Sequence, residues 1–262
     1  MKISAVIITF NEEKNLVRCL KSLSGLVEEL VVVDSGSEDR TKDVAESFGA
    51  RFIYQRWKGY VAQKNFAINQ AKYEWILNLD ADEELSEELR SSLTKFKNEK
   101  SLPGITGYRV TRVVFFRGKW IRHGDWYPDY LVRFFQKTKG RFEGGKVHER
   151  LQLEGGVVSL SGELNHYTYT DANDRRDRLR RYAKLWAESK YEEGKRVSVV
   201  CAYAHALWTF FRGLILKRGC LDGILGIEIA WGNAWGVYLK YKYLYQLDNS
   251  RHDEKDKEGE LK

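Results

Sequence analysis

Apolar positions along the first hundred residues alternate between two periods. Lys2 to Thr9 (KISAVIIT) is a β-branched, apolar run and predicts a first strand. Leu16, Val17, Leu20 and Leu23 then recur at helical spacing, which predicts a helix over Glu12 to Leu23 with Asn11 as its N-cap. Glu29 to Asp34 is a second strand, and a helix carrying Val44, Ala45 and Phe48 stops at Gly49. Arg51 to Gln55 is a third strand, and Tyr60 to Ala71 a third helix with Ala67, Ile68 and Ala71 inward. Trp75 to Leu79 reads as a strand buried on both faces. Alternating strands and helices with short connections predict an α/β fold with a mostly parallel sheet.

That fourth strand runs directly into Asp80, Asp82 and Glu83. Carboxylates at the edge of a dry core are costly without a counter-ion. Mg²⁺ or Mn²⁺, which takes hard oxygen ligands from one or two carboxylates and from substrate phosphates, answers that cost. The plainer reading is a solvated turn capping the helix near Ser86. Ligands of such sheets bind beyond the carboxyl ends of the strands. Thr9-Phe10-Asn11, Asp34-Ser35-Gly36 and Asp80-Ala81-Asp82 all fall there, and three polar tips on one rim make a site. Neither G-x-G-x-x-G nor G-x-x-x-x-G-K-[ST] is present, which disfavours a dinucleotide fold and a P-loop. The rim suits a nucleotide with a metal-bound diphosphate. Asp34 is placed to accept an N–H from a base edge, and Lys64 and Arg56 to face phosphate oxygens. The alternative for Lys64 is an exposed helix lysine.

A helix from Ser86 to Phe96 and a strand over residues 107–116 follow. Trp120 to Asp129 is dense in aromatic and titratable groups and suits the wall of an acceptor pocket, or else a surface turn. Leu131 to Phe135 is another strand, and Gly144 to Glu149 a flexible loop containing His148.

Composition shifts from Asp171 onward. Asp171-Ala172-Asn173 caps a helix crowded with Arg175, Arg176, Arg178, Arg180 and Arg181, either a solvated face or an anion-binding patch. Residues 197–216 are almost wholly apolar, and Leu221 to Tyr245 mixes Trp and Tyr with Lys240 and Lys242. Aromatics with lysines favour a membrane interface, so two interfacial helices joined at Arg218-Gly219 are expected; an ordinary buried helix pair is the alternative. The charged residues 249–262 are expected to be disordered.

The whole chain of 262 residues carries a net charge of +7, which favours an anionic partner. Its basic residues match no nucleic-acid motif. Three widely spaced cysteines suggest neither a disulfide framework nor zinc, and hence a reducing compartment. Met1-Lys2 leads straight into a strand, unlike a signal peptide.

Taken together, Thr9-Phe10-Asn11-Glu12-Glu13, Val32-Val33-Asp34-Ser35-Gly36-Ser37-Glu38-Asp39-Arg40-Thr41 and Leu77-Asn78-Leu79-Asp80-Ala81-Asp82-Glu83 resemble the family 2 glycosyltransferases of GT-A fold. Trp126-Tyr127-Pro128-Asp129, Arg133-Phe134-Phe135 and Val147-His148-Glu149 are similar to the bacterial branch that glucosylates the lipopolysaccharide inner core. The resemblance implies a GT-A domain over residues 1–170, a membrane-interfacial helical region over 171–248, and a charged tail. It implies inverting transfer of a hexose from a UDP-sugar, UDP-glucose in that branch, to a lipid-linked glycan at the cytoplasmic face of the inner membrane. Thr9, Asn11, Glu12 and Asp34 would surround the nucleoside, with Lys64 near the phosphates. Asp80, Ala81 and Asp82 would hold ribose, diphosphate and metal, with Asp82 and His148 as metal ligands. Asp129 would be the general base, with Asp125 as runner-up. A metal-dependent nucleotidyltransferase and a non-catalytic nucleotide-sugar reader remain as alternatives.

Overall fold

A computed structural model describes residues 1–98, 102–144, 149–168 and 172–259. The chain divides into two compact units, Met1–Val114 with Asp129–Thr168, and Phe115–Pro128 with Tyr169–Lys262. The aromatic segment before Asp129, expected to line a pocket in that unit, groups instead with the C-terminal helices.

In the first unit the elements are β1 (Ile3–Thr9), α1 (Glu13–Leu23), β2 (Glu29–Asp34), α2 (Thr41–Ser47), β3 (Arg51–Tyr54) and α3 (Tyr60–Gln70). After them come β4 (Trp75–Asp80), β5 (Glu83–Leu85), α4 (Glu87–Asn98) and β6 (Ile105–Phe116), the last of which runs on into the second unit. The short β7 (Lys119–Ile121), in the second unit, pairs with β6. The remaining strands are β8 (Asp129–Gln136), β9 (Gly140–Gly144), β10 (Glu149–Leu153) and β11 (Gly156–His166). The main sheet runs β3-β2-β1-β4-β8-β6-β11-β5, and β9 and β10 form a separate hairpin.

The expected βα alternation yields the parallel half, β3-β2-β1-β4. Beyond β4 the sheet turns mixed: β8 is antiparallel to both β4 and β6, β11 parallel to β6, and β5 antiparallel to β11. This is the GT-A-like α/β architecture. The strands after Gln136 escape sequence reading because residues such as Arg150, Gln152, Ser159 and Glu163 break the apolar pattern.

Strand alternation sorts the core into two layers. Ile3, Ala5 and Ile7 of β1, Val32 of β2, and Trp75, Leu77 and Leu79 of β4 pack with Leu16, Leu20 and Leu23 of α1 and with Leu89 and Leu93 of α4. Val6, Ile8, Val31, Val33 and Ile76 face the opposite way and meet Ala67 and Ile68 of α3. Asn78 and Asp80 continue the Ile76 face, so the polar end of β4 lies on the α3 side. That parity decides which charges meet in the site.

The second unit contains α5 (Ala172–Glu192), α6 (Val199–Phe211) and α7 (Ile224–Gly259). A π-helical turn, Arg212–Leu216, and a 3₁₀ turn, Gly219–Asp222, join the last two. Helix α7 continues through residues expected to be disordered. No Pro or Gly interrupts residues 249–258, so nothing in the backbone chemistry stops the helix before Gly259. The expected cap at residues 171–173 begins outside the described residues.

Candidate active site

The loops after β1 and β2 are zipped together. Asn11, with φ of 55°, receives no capping role; the N-cap of α1 is Glu12. Asn11 instead donates its backbone N–H to Ser37 Oγ at 2.7 Å and accepts from the Glu38 N–H at 2.9 Å. Glu12 N–H donates to Thr41 Oγ1, and Glu13 N–H to Asp39. Asp34 lies opposite Thr9 in the β1–β2 register and is buried. Its Oδ1 accepts from Thr9 Oγ1 at 3.2 Å and from Ser37 Oγ, while Oδ2 accepts the Gly36 and Ser37 N–H groups at 2.7 Å each. A carboxylate offers about four acceptor positions. All are engaged within the turn, which Asp34 therefore orders. Gln63 of α3, buried beside this turn, donates to Ser35 Oγ and to the Gln55 carbonyl. Its Oε1 is buried with no partner among the described residues.

At the end of β4 the acids divide by task. Asp80 pairs with Lys64 Nζ at 3.0 Å and Arg133 Nη2 at 2.6 Å. Burial alone would raise the Asp80 carboxyl, but Arg133 and Lys64 outweigh it and hold the group far below the usual carboxylate range. Lys64 is buried, not the exposed lysine of the alternative reading, and also reaches Glu149 Oε1 at 3.3 Å. Arg133, on β8, is buried as well; it bonds Glu83 Oε1 and, at 3.3 Å, Asn78 Oδ1. Its guanidinium is held above its ordinary value by Asp80 and Glu83, against the opposing effect of burial. Glu83 is fully buried and closes the turn by accepting the Asp80 N–H at 3.0 Å.

Asp82 differs. Among the described residues its carboxylate meets no Lys or Arg; Oδ2 lies 3.2 Å from His166 Nε2. His166 ends β11, opposite Glu83 in the β5 register, and its Nδ1 is 2.7 Å from Thr168 Oγ1. Ala81 is packed into the core between the two aspartates.

Asp129 opens β8, facing Arg112 of β6. Arg112 donates to Asp129 Oδ2 from Nε at 3.0 Å and from Nη2 at 2.7 Å, and Nη1 reaches Glu83 at 3.3 Å. Asp125 belongs to the second unit. There it is neutralised by Arg212 at 3.0 Å and Lys217 at 3.1 Å, which suits a structural anchor better than a base. His148 lies outside the described residues.

Among the described residues no group of three His, Cys, Asp or Glu is placed to hold a metal. The uncompensated Asp82 carboxylate with a neighbouring imidazole supplies two donors of suitable chemistry for Mn²⁺ or Mg²⁺, which complete their shells with phosphate oxygens and water.

Arg133, His166 and Arg112 contact Asp80, Asp82 and Asp129 in turn, yet sequence reasoning gave them no individual role. A signal existed for Arg133: an arginine between Val132 and Phe134 in an apolar strand needs a buried acid.

The glycosyl transferase family 2 model matches residues 4–152. The chain is 34% identical over 255 residues to the lipopolysaccharide core biosynthesis glycosyltransferase LpsC of Rhizobium meliloti, covering 92% of this chain and 93% of that protein. It is 27% identical to an uncharacterized glycosyltransferase of Rickettsia typhi, over 94% of this chain and 87% of the relative. Among solved structures it resembles residues 1–349 of S. aureus TarS, at 16% identity, 91% and 80% coverage and a TM-score of 0.43. The family match spans the parallel half of the sheet, both zipped loops and the acid-tipped strand with its cations: the chain belongs to glycosyl transferase family 2.

Proposed function

We propose that this glycosyltransferase moves a hexose from a UDP-sugar, with inversion, to a hydroxyl of a lipid-linked glycan of the lipopolysaccharide core type. The observation that carries the reading is the division of labour at the end of β4. Asp80 is already neutralised by Lys64 and Arg133, whereas Asp82 keeps an uncompensated charge beside His166. The 34% identity to LpsC supports the acceptor class.

Asp82 and His166 would hold Mn²⁺ or Mg²⁺, which supplies charge neutralisation for the departing diphosphate. Lys64 adds a buried positive charge on the same rim. Asp129 takes the acceptor hydroxyl proton as that oxygen bonds to the anomeric carbon. The anomeric carbon–phosphate oxygen bond breaks on the opposite face, and its electron pair leaves with UDP. Arg112 fixes Asp129 through Oδ2 and leaves Oδ1 as the proton acceptor.

The second unit supports a membrane-bound setting. It carries 21 Lys and Arg against 15 Asp and Glu, a net of +6, while the first unit has 23 against 22. Val199–Leu216 is long and apolar enough to cross a membrane by length and composition, and only 17% of it is buried. Yet 18 residues at 1.5 Å rise span about 27 Å, short of the roughly 30 Å hydrocarbon core, and a turn at Arg218–Gly223 sends the chain back along α7. Leu207 on α6 is 70% exposed, and Leu221 and Ile224 at the turn are 62% and 81% exposed. The α6–α7 hairpin thus suits insertion into one leaflet of an anionic bilayer, at the cytoplasmic face, with Lys195 and Arg196 at its base toward the headgroups.

A screen of UDP- and GDP-sugars with purified protein and Mn²⁺, read by released nucleotide, tests the donor. Nucleotide release is expected with a UDP-hexose; preference for a GDP-sugar, or no release with any donor, overturns the reading.

A further inference from the structure

Helices α5 and α7 of the second unit enclose a cleft that the reaction scheme leaves unused. Its volume is about 230 Å³, and Arg175, Arg176, Leu179, Glu228, Trp231, Gly232 and Trp235 line it. Glu228, Trp231, Gly232 and Trp235 are spaced to share one face of α7.

Arg175 is buried at 5% exposure, unusual for an arginine. Its guanidinium lies over the rings of Trp126 and Phe116, 5.0 and 5.5 Å from their centroids, and donates to the Ile229 carbonyl at 3.2 Å and to Asn233 Oδ1 at 3.4 Å. Gly232 makes this possible: a Cβ there would fall 2.3 Å from Arg175 Nη2. Glycine inside a helix is less favourable than alanine. Here it admits the cation to the α7 backbone. Arg176 adds an exposed guanidinium. Among the described lining residues the one carboxylate, Glu228, is neutralised by Arg117 at 2.6 Å, and Arg176 leaves those residues with positive charge. Trp231, 67% exposed, supplies a flat apolar surface beside the charge, and Trp235 is partly exposed with the Arg180 guanidinium 5.5 Å from its ring centroid.

Guanidinium groups recognise phosphate or carboxylate, and indole faces pack on the apolar faces of sugar rings. The volume is below the roughly 300–1,000 Å³ of drug-sized ligand sites, enough for one substituted ring and not an oligosaccharide. We propose that this cleft binds a single anionic sugar residue, one bearing phosphate or carboxylate, on the glycan acceptor. The proposal rests on the reading of the acceptor as a lipid-linked glycan.

The test uses full-length protein labelled with ¹⁵N at its indoles, with Trp231 and Trp235 assigned through single Trp→Phe variants. Glucose 6-phosphate, glucose and inorganic phosphate are titrated at fixed ionic strength, and phosphatidylglycerol vesicles in a separate arm. Glucose 6-phosphate is expected to shift both indoles and to bind at least tenfold more tightly than glucose or phosphate. Arg176→Gln and Gly232→Ala are each expected to weaken it at least tenfold. No shift, equal binding of inorganic phosphate, a response to vesicles alone, or wild-type affinity in Arg176→Gln each overturns the proposal. If Gly232→Ala does not fold, the surface variant Arg176→Gln decides alone. UDP binding with Mn²⁺, measured on the same sample, separates the readings. Nucleotide bound without the sugar phosphate removes only the cleft proposal, and the converse removes only the donor assignment.

Discussion

Arg112 and Asp129 sit directly opposite each other across the β6–β8 ladder, and both guanidinium bonds land on one oxygen, Oδ2. The other oxygen accepts no bond among the described residues. A carboxylate pinned on one side and open on the other is oriented for proton transfer. Asp129→Asn is expected to lower kcat by roughly 10²–10⁴-fold with UDP affinity unchanged. Arg112→Lys should also lower kcat, because one ammonium cannot reproduce two bonds in a fixed plane. A large loss of UDP affinity in Asp129→Asn, read by calorimetry, would move this residue to donor binding.

Asp82→Asn removes the uncompensated charge while leaving the neutralised network of Asp80, Glu83, Lys64 and Arg133 intact. The variant is expected to fold with wild-type stability, to lose nearly all turnover, and to bind UDP equally with and without Mn²⁺. His166→Ala should show the same loss of metal dependence. Wild-type activity in either variant, with donor and metal saturating, contradicts the proposed cation site.

Arg133 is the hub of the buried charge network, bonded to Asp80, Glu83 and Asn78. Arg133→Met leaves Asp80 with Lys64 alone and the fully buried Glu83 with Arg112 alone, and should destabilise the first unit by about 3 kcal/mol in urea titration. Adding Glu83→Gln should recover part of that loss, because the two sites share one interaction. Strict additivity of the two changes would show that the ion pair carries no coupling.

Asp80 sets an acid limit on stability. Its carboxyl is depressed in the folded protein because Arg133 and Lys64 overcome the effect of burial. Such a group stabilises at pH values above its unfolded pKa of about 3.9, and the contribution is lost as pH falls below that. Acid unfolding of wild type should therefore steepen below about pH 4, and Asp80→Asn should flatten that limb. Parallel acid curves for the two proteins would refute the assignment.

The α6–α7 hairpin predicts salt- and lipid-dependent docking. Leu221→Asp with Ile224→Asp places two charges at the exposed turn and should abolish flotation with phosphatidylglycerol vesicles. UDP binding by the first unit should be unaffected. Binding to wholly zwitterionic vesicles as strong as to anionic ones would remove the electrostatic part of the docking.

Much of the donor half of the fold was legible in the chain. Strands buried on both faces leave uninterrupted runs such as Ala5–Ile8 and Val31–Val33, and the three polar rims follow directly from where those runs stop. Asp80, Asp82 and Asp129 could be named because each sits in a local motif. The roles of Arg112, Arg133 and His166 could not, since their partners lie 17 to 84 positions away and meet them only through strand pairing. Asn11 shows the reverse: a local rule made it a cap, and a loop 27 residues on claimed it.

Sequence alone determined the strands and helices of the first eighty residues and that acids crown the fourth strand, because hydrophobic periodicity and local motifs are properties of neighbours along the chain. Only the tertiary structure decided that Asp80 is neutralised while Asp82 is not, and that Asp125 is tied up while Asp129 keeps an open oxygen. Charge compensation depends on distance in space, and the register of an antiparallel ladder fixes those distances.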